Sequence, residues 1–168
     1  MRIGIDMDDT LVSTSESFDE IIKKYDVKFD KKFKDNWTEE EKDYIFKNFL
    51  DETLYNAKIK PYVKEVLEEL TNRGHELFIV TARNNNHCKN AERFTKEFIL
   101  NNNIKISNFY FGQFKKSDVA KKINLDLMID DDVRVYNNCM NDNIDCILFG
   151  DKIKDWNQVH EYIKQKEE

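Results

Sequence analysis

The amino-acid sequence predicts an α/β fold: a five-stranded parallel sheet with helices on both faces and a small helical insert after strand one. Three observations carry this expectation. Short, largely apolar runs recur at Arg2–Asp6, Leu77–Val80, Phe109–Phe111, Leu125–Ile129 and Cys146–Phe149, and helical patterns separate them. Runs without polar alternation suit strands covered on both faces. Residues 13–58 contain no strand pattern, so they read as an insert into the alternating series.

Each element follows from local chemistry. Arg2–Asp6 is a short buried strand that ends in acids. Phe18, Ile21, Ile22 and Tyr25 then fall at helical spacing. Thr38 with Glu41 three residues on forms a capping box, and Tyr44, Ile45, Phe49 and Leu50 supply the next apolar face. Pro61 is expected to open a helix striped by Val63, Val66, Leu67 and Leu70 and closed by Gly74. A helix from about Cys88 to Leu100 stops at Asn101-Asn102-Asn103, and Gly112 closes the third strand. A short helix starts at Ser117, another passes through Val135 and Met140, and a terminal one begins near Trp156.

Composition narrows the function classes. The chain has 168 residues, with 40% hydrophobic and 36% charged, which suits one globular unit with an inserted part. A net charge of −6 argues against non-specific binding to nucleic acid. No apolar run approaches the ~20 residues that span a bilayer, and the N-terminal strand lacks the longer apolar core of a signal peptide. Cys88, Cys139 and Cys146 show no CxxC spacing. Reduced thiols and a cytoplasmic location are therefore expected.

The chemistry concentrates where strands end. Asp6, Asp8 and Asp9 follow the first strand, and carboxylates this close repel one another unless a cation intervenes. Asp6 and Asp8 are two apart and share a face in extended chain, so one could attack while the other transfers a proton. Thr81, after the second strand, offers a hydroxyl to a phosphoryl oxygen. Lys115 and Lys116 compete to offset charge on nucleophile and phosphate. Asp130-Asp131-Asp132, after the fourth strand, reads as the second half of a Mg²⁺ site. Arg83 has two readings, a substrate phosphate or a surface acid. Asp9 and Asp132 read as local caps, and Lys115 as solvated.

With IGIDMDDTL at Ile3–Leu11, FIVTAR at Phe78–Arg83, Lys116, and LMIDD at Leu127–Asp131, the sequence resembles the haloacid dehalogenase-type phosphohydrolase superfamily. Within it the chain looks most like the 5'(3')-deoxyribonucleotidase group and its small bacterial relatives. The resemblance implies a Rossmann-like core over 1–12 and 59–168, with 13–58 as a helical cap. It implies Asp6 as the nucleophile that forms an aspartyl-phosphate, and Asp8 as the acid and then the base. Thr81, Lys116 and Arg83 would take the substrate phosphate. Mg²⁺ would be held by Asp6, the Asp8 main-chain oxygen and an acid after the fourth strand, Asp131 ahead of Asp130. Many relatives carry glycine where this chain has Asp9. Trp37 and Phe33 are the cap aromatics placed to stack on a base.

The expected activity is Mg²⁺-dependent hydrolysis of a phosphomonoester, with a nucleoside monophosphate as substrate. The alternatives are a sugar phosphate, a nucleic-acid end, or a phospho-accepting receiver module. A receiver, however, carries its acceptor aspartate after a middle strand and lacks the insert. Membrane and nucleic-acid partners are not expected, and a homodimer is left open.

Overall fold

The computed structural model describes residues 1–27 and 37–167. The strands are β1 (Arg2–Ile5), β2 (Glu76–Val80), β3 (Asn108–Tyr110), β4 (Leu127–Asp130) and β5 (Asp145–Leu148). The helices are α1 (Thr14–Lys24), α2 (Glu39–Asn56), α3 (Val63–Asn72), α4 (Ala91–Asn101), α5 (Lys116–Lys122), α6 (Val133–Asn141) and α7 (Trp156–Glu167). All strands pair in parallel, in the order β3-β2-β1-β4-β5.

The sheet buries both faces, as its apolar strands require. Ile3, Ile5, Leu77, Ile79, Leu127 and Ile129 point to one side, where α3 and α7 bring Leu67, Leu70, Val159 and Ile163. Phe78, Val80, Met128 and Cys146 point to the other, against Val119, Val135 and Cys139. Gly4 lies on this second side, where a Cβ would sit 2.4 Å from Leu125 Cδ1 and 2.9 Å from Met128 Sδ.

The order places a topological switch between β1 and β4, because the chain moves to β2 and β3 on one side and returns to β4 on the other. Open parallel sheets bind ligands outside the strand ends at such a point. The order also differs from the 2-1-3-4-5 order of receiver modules, which removes that alternative.

After β1 the backbone doubles back. Leu11 and Val12 amides both donate to the Met7 carbonyl, at 3.0 and 3.1 Å. Asp9 stands at φ 57 within this turn. The left-handed region favours glycine but tolerates aspartate, so Asp9 can occupy this turn. The Asp9 carboxylate accepts from the Ser15 amide at 2.8 Å and its hydroxyl at 2.5 Å. Chain exit and return are clasped by Ser13 N to Lys58 O (2.8 Å) and Lys60 N to Leu11 O (2.9 Å). Trp156, wholly buried at the start of α7, donates its indole N–H to the Thr10 carbonyl at 3.0 Å.

Between exit and return lie α1 and α2, packed on each other around Phe18, Trp37 and Ile45. The Thr38 capping box forms as expected, with Glu41 N to Thr38 Oγ1 at 3.2 Å and Thr38 N to Glu41 Oε2 at 2.7 Å. Leu54 of α2 packs on Cys88 and Ala91, next to α4. Cys88 donates its thiol to Asp51 Oδ1 at 2.7 Å, and burial together with this bond pushes its pKa up to about 11.

Three local expectations shift. Pro61 does not open α3, because Tyr62 intervenes at φ 65 and only then does the helix start. α4 begins at Ala91 and not Cys88, since Asn84 first takes the Asn86 and His87 amides in a turn. β4 omits Leu125, whose amide closes the end of α5 on the Ala120 carbonyl at 2.9 Å.

Candidate active site

The strand ends at the switch converge on a cavity of about 430 Å³. Its wall includes Asp6, Asp8, Lys116, Asp130, Asp131 and Phe114. Each arrives there for a backbone reason. Asp6 is the first residue past β1, fixed by its amide on the Ile129 carbonyl of β4 at 3.0 Å. Lys116 is the first residue of α5, and Asp130 the last of β4.

Lys116 organises the charge. Its Nζ lies 2.6 Å from Asp6 Oδ1 and 2.6 Å from Asp130 Oδ2, and all three side chains are nearly shut off from solvent. Burial works against the ammonium, but the two carboxylates outweigh it and hold its pKa above the ordinary lysine value. Burial raises Asp6 to about 7; Lys116 opposes this, while Asp130 and Asp8 reinforce it. Burial also raises Asp130, again against Lys116.

Among the described residues, one acidic cluster is compact enough to hold a metal: Asp6, Asp130 and Asp131 offer carboxylate oxygens all within 4.8 Å of one another. The set is hard oxygen only, which fits Mg²⁺ and gives no reason to invoke a softer metal. Asp130 spends one oxygen on Lys116 and the other on the Asp132 amide at 2.9 Å. Asp131 is partly exposed on the cavity wall, with the Thr10 hydroxyl 3.3 Å from its Oδ1. Asp132 caps α6, accepting from the Arg134 amide at 2.8 Å.

Asp8 faces the cavity with its carboxylate held from behind. Arg83 places Nε 3.2 and 3.0 Å from its two oxygens and Nη2 2.6 Å from Oδ1. Thr14, the first residue of α1, donates to Oδ1 at 2.5 Å. Thr81 lies buried past β2, where its hydroxyl oxygen accepts from the Arg83 amide at 3.2 Å. Lys115 lies on the surface, paired with Asp118 at 3.0 Å.

Two expectations need correction. Arg83 does not present its guanidinium to the cavity, because that group is buried on Asp8 and Thr95. Trp37 does not face the cavity either; it is buried edge-on to Phe18, at 5.7 Å between centroids, in the α1–α2 core. Phe33 lies outside the described residues. Phe114, overlooked in the sequence, is the aromatic on the cavity wall, and it is 69% exposed. The loop carrying it is tied to the end of β2 by Gly112 N to Arg83 O (2.8 Å) and Gln113 N to Thr81 O (2.9 Å). An aromatic two positions before Lys116 is the signal that could have found it.

Comparison with known proteins places these features. No family model matches the chain. A Bacillus cereus protein described as "Putative nucleotidase" is 26% identical over 151 residues, covering 78% of this chain and 76% of that protein. Among solved structures, a "predicted phosphatase" from Clostridium acetobutylicum superposes with a TM-score of 0.69 at 15% identity, covering 98% of each chain. A HAD-superfamily hydrolase from Geobacter sulfurreducens reaches a TM-score of 0.66 at 10% identity, covering 96% of this chain and 95% of that one. Among the described residues, no helix is long and apolar enough to cross a membrane. With its strand order, its acid-bearing switch point and these structural relatives, the chain has the fold of the haloacid dehalogenase superfamily of hydrolases.

Proposed function

We propose that the protein is a Mg²⁺-dependent phosphomonoesterase that works through a covalent phosphoryl group on Asp6, with nucleoside monophosphates as its substrate class. The observation that carries this reading is the buried Lys116 ammonium midway between Asp6 and Asp130, 2.6 Å from each, at the mouth of the strand switch. A nucleophilic carboxylate must be anionic, and burial among acids opposes that; Lys116 counters it and also draws in a phosphate dianion.

In the first step an Asp6 oxygen bonds to phosphorus as the bond to the leaving oxygen breaks, and Asp8 gives that oxygen its proton. In the second, water attacks phosphorus, Asp8 takes the proton, and Asp6 is released with inorganic phosphate. Splitting the displacement this way replaces one difficult step by two easier ones. Thr81 is the hydroxyl donor for the transferring group. Asp6, Asp131 and the Asp8 main-chain oxygen would hold Mg²⁺, with Asp130 serving chiefly to hold Lys116. When bound, the ion supplies positive charge to the carboxylates and phosphate oxygens. The helices α1 and α2 act as a cap over residues 13–58, and Asp8 lies where that cap joins the core. Phe114 offers a flat apolar face to a base, the role that Trp37 does not fill.

The test is phosphate release from p-nitrophenyl phosphate and a panel of nucleoside monophosphates and sugar phosphates, with Mg²⁺ or with EDTA. We expect turnover only with Mg²⁺, preference for nucleotides, and no measurable turnover in Asp6→Asn. Full activity in Asp6→Asn would overturn the nucleophile, and a preference for sugar phosphates would overturn the substrate class.

A further inference from the structure

We propose that Arg83 is a positioning residue for Asp8 and makes no contact with the substrate phosphate. The inference rests on the reading of Asp8 as the proton-transfer group, and it comes from how all three guanidinium nitrogens are engaged away from the cavity. Nε and Nη2 grip both Asp8 oxygens, and Nη1 donates to Thr95 Oγ1 at 3.0 Å. Thr95 passes its own proton to the Ala91 carbonyl at 2.8 Å, so towards Arg83 it serves as an acceptor. The Arg83 side chain is 4% exposed while that of Asp8 is 28% exposed. The cavity wall contains Asp8 and Ala82 but not Arg83, so the guanidinium stands behind the carboxylate it holds.

The backbone beneath is equally fixed. Arg83 donates its amide to Thr81 Oγ1 and accepts from Gly112 at its carbonyl. Asp8, by contrast, sits in a turn past the end of β1, where a short side chain has rotamer freedom to turn away. Thr14 supplies a second restraint, donating its hydroxyl to Asp8 Oδ1. A planar fork fixes the orientation of a carboxylate in a way that a lysine ammonium does not. Thus Arg83 aims the Asp8 oxygen that gives a proton to the leaving group and takes one from water.

The experiment measures kcat and KM for p-nitrophenyl phosphate with Mg²⁺ in Arg83→Met and Arg83→Lys, each alone and combined with Asp8→Asn. Nitrophenolate leaves without much help from an acid, so the Asp8→Asn background still forms the phosphoryl group on Asp6, and its rate is read as the first-turnover burst of nitrophenolate because the second step has lost its base. We expect Arg83→Met to lower kcat about 100-fold, the scale of a misplaced catalytic group, with KM within about twofold of the parent enzyme, as expected for an interaction made only in the transition state. Arg83→Lys should restore only part of the rate. In the Asp8→Asn background neither Arg83 substitution should lower that burst rate further. A KM that rises with kcat retained would make Arg83 a phosphate ligand and overturn the proposal. Losses that multiply in the double variant would also overturn it, because a merely structural arginine harms both backgrounds equally. If Arg83→Met does not fold, Arg83→Lys retains the buried charge and decides by the same criteria. Full activity in Asp8→Asn alone would instead strike down the role of Asp8, leaving the Arg83 geometry without that function.

Discussion

Lys116 is the residue on which the electrostatics of the site turn. Removing it leaves the buried Asp6 and Asp130 carboxylates without the cation between them. Breaking a buried ion pair from one side costs about 3–5 kcal/mol, so Lys116→Met should unfold at markedly lower urea. Saturating Mg²⁺ should raise the melting temperature of that variant more than that of the parent protein, since the ion supplies charge the lysine no longer does. A calorimetric scan with and without the ion checks this; an equal Mg²⁺ increment in both proteins would contradict it. On the proposed reading, Phe114 acts in selection and not in chemistry. Stacking a base on an aromatic face contributes about 1–3 kcal/mol. Phe114→Ala should therefore raise KM for nucleoside monophosphates about tenfold, from that same stacking range, and leave ribose 5-phosphate unchanged. Equal change for both substrates would remove Phe114 from substrate contact. The legibility of individual residues follows their chemistry. Asp6, Asp8, Lys116 and Asp131 stand out in the chain because acids and a lysine directly flank strand and helix ends. The partner of Arg83 does not, because that contact joins residues 75 positions apart and depends on how β1 and β2 lie side by side. Trp37 misleads for a similar reason: an aromatic in an aperiodic stretch gives no sign of which wall it meets.

At the scale of elements, one device ends helix after helix. Past α1, α3, α4, α5 and α6 the second residue beyond the helix adopts positive φ: Asp26, Gly74, Asn103, Asn124 and Asn143. In each case the residue after it returns its amide to a carbonyl in the last turn, as with His75 on Leu70 and Ile144 on Cys139. This is the Schellman arrangement, built here largely from asparagine in a chain with only four glycines. Asn124→Gly should be neutral or stabilising within about 1 kcal/mol, whereas Asn124→Val should cost about 1–3 kcal/mol, measured by urea unfolding. Equal stability of the two would mean that the turn relaxes elsewhere. The same device explains which boundaries could be read. Element types follow from apolar period, and the stop after α4 is announced by its asparagines. Except for His75, the residue after each left-handed position is apolar and looks like the start of a strand, yet it belongs to the cap. Leu125 is the case in point.

At the scale of the molecule, the active turn is held from three directions. β4 anchors Asp6, α1 and Arg83 hold Asp8, and α7 bonds the Thr10 carbonyl through Trp156. The parallel five-stranded sheet was readable from the alternation of strands and helices, but the strand order was not, because the same alternation also builds sheets of other order. The cavity was not, since its wall is assembled from loops whose directions only the packed sheet defines. The α1–α2 pair meets α4 through a small apolar contact at Leu54 and through Asp51. Regions with little buried contact open before the rest.

The placement of the two tryptophans has an optical consequence. The chain contains two indoles, one inside the α1–α2 pair and one under the active turn. Trp156→Phe leaves emission from the pair alone, and Trp37→Phe leaves emission from the core alone. In urea, the emission of Trp37 should move to longer wavelength before that of Trp156, and coincident curves would show a single cooperative unit. A chain with one indole in the α1–α2 pair and one beneath the turn after β1 can thus report, without any label, whether these two parts unfold as separate events.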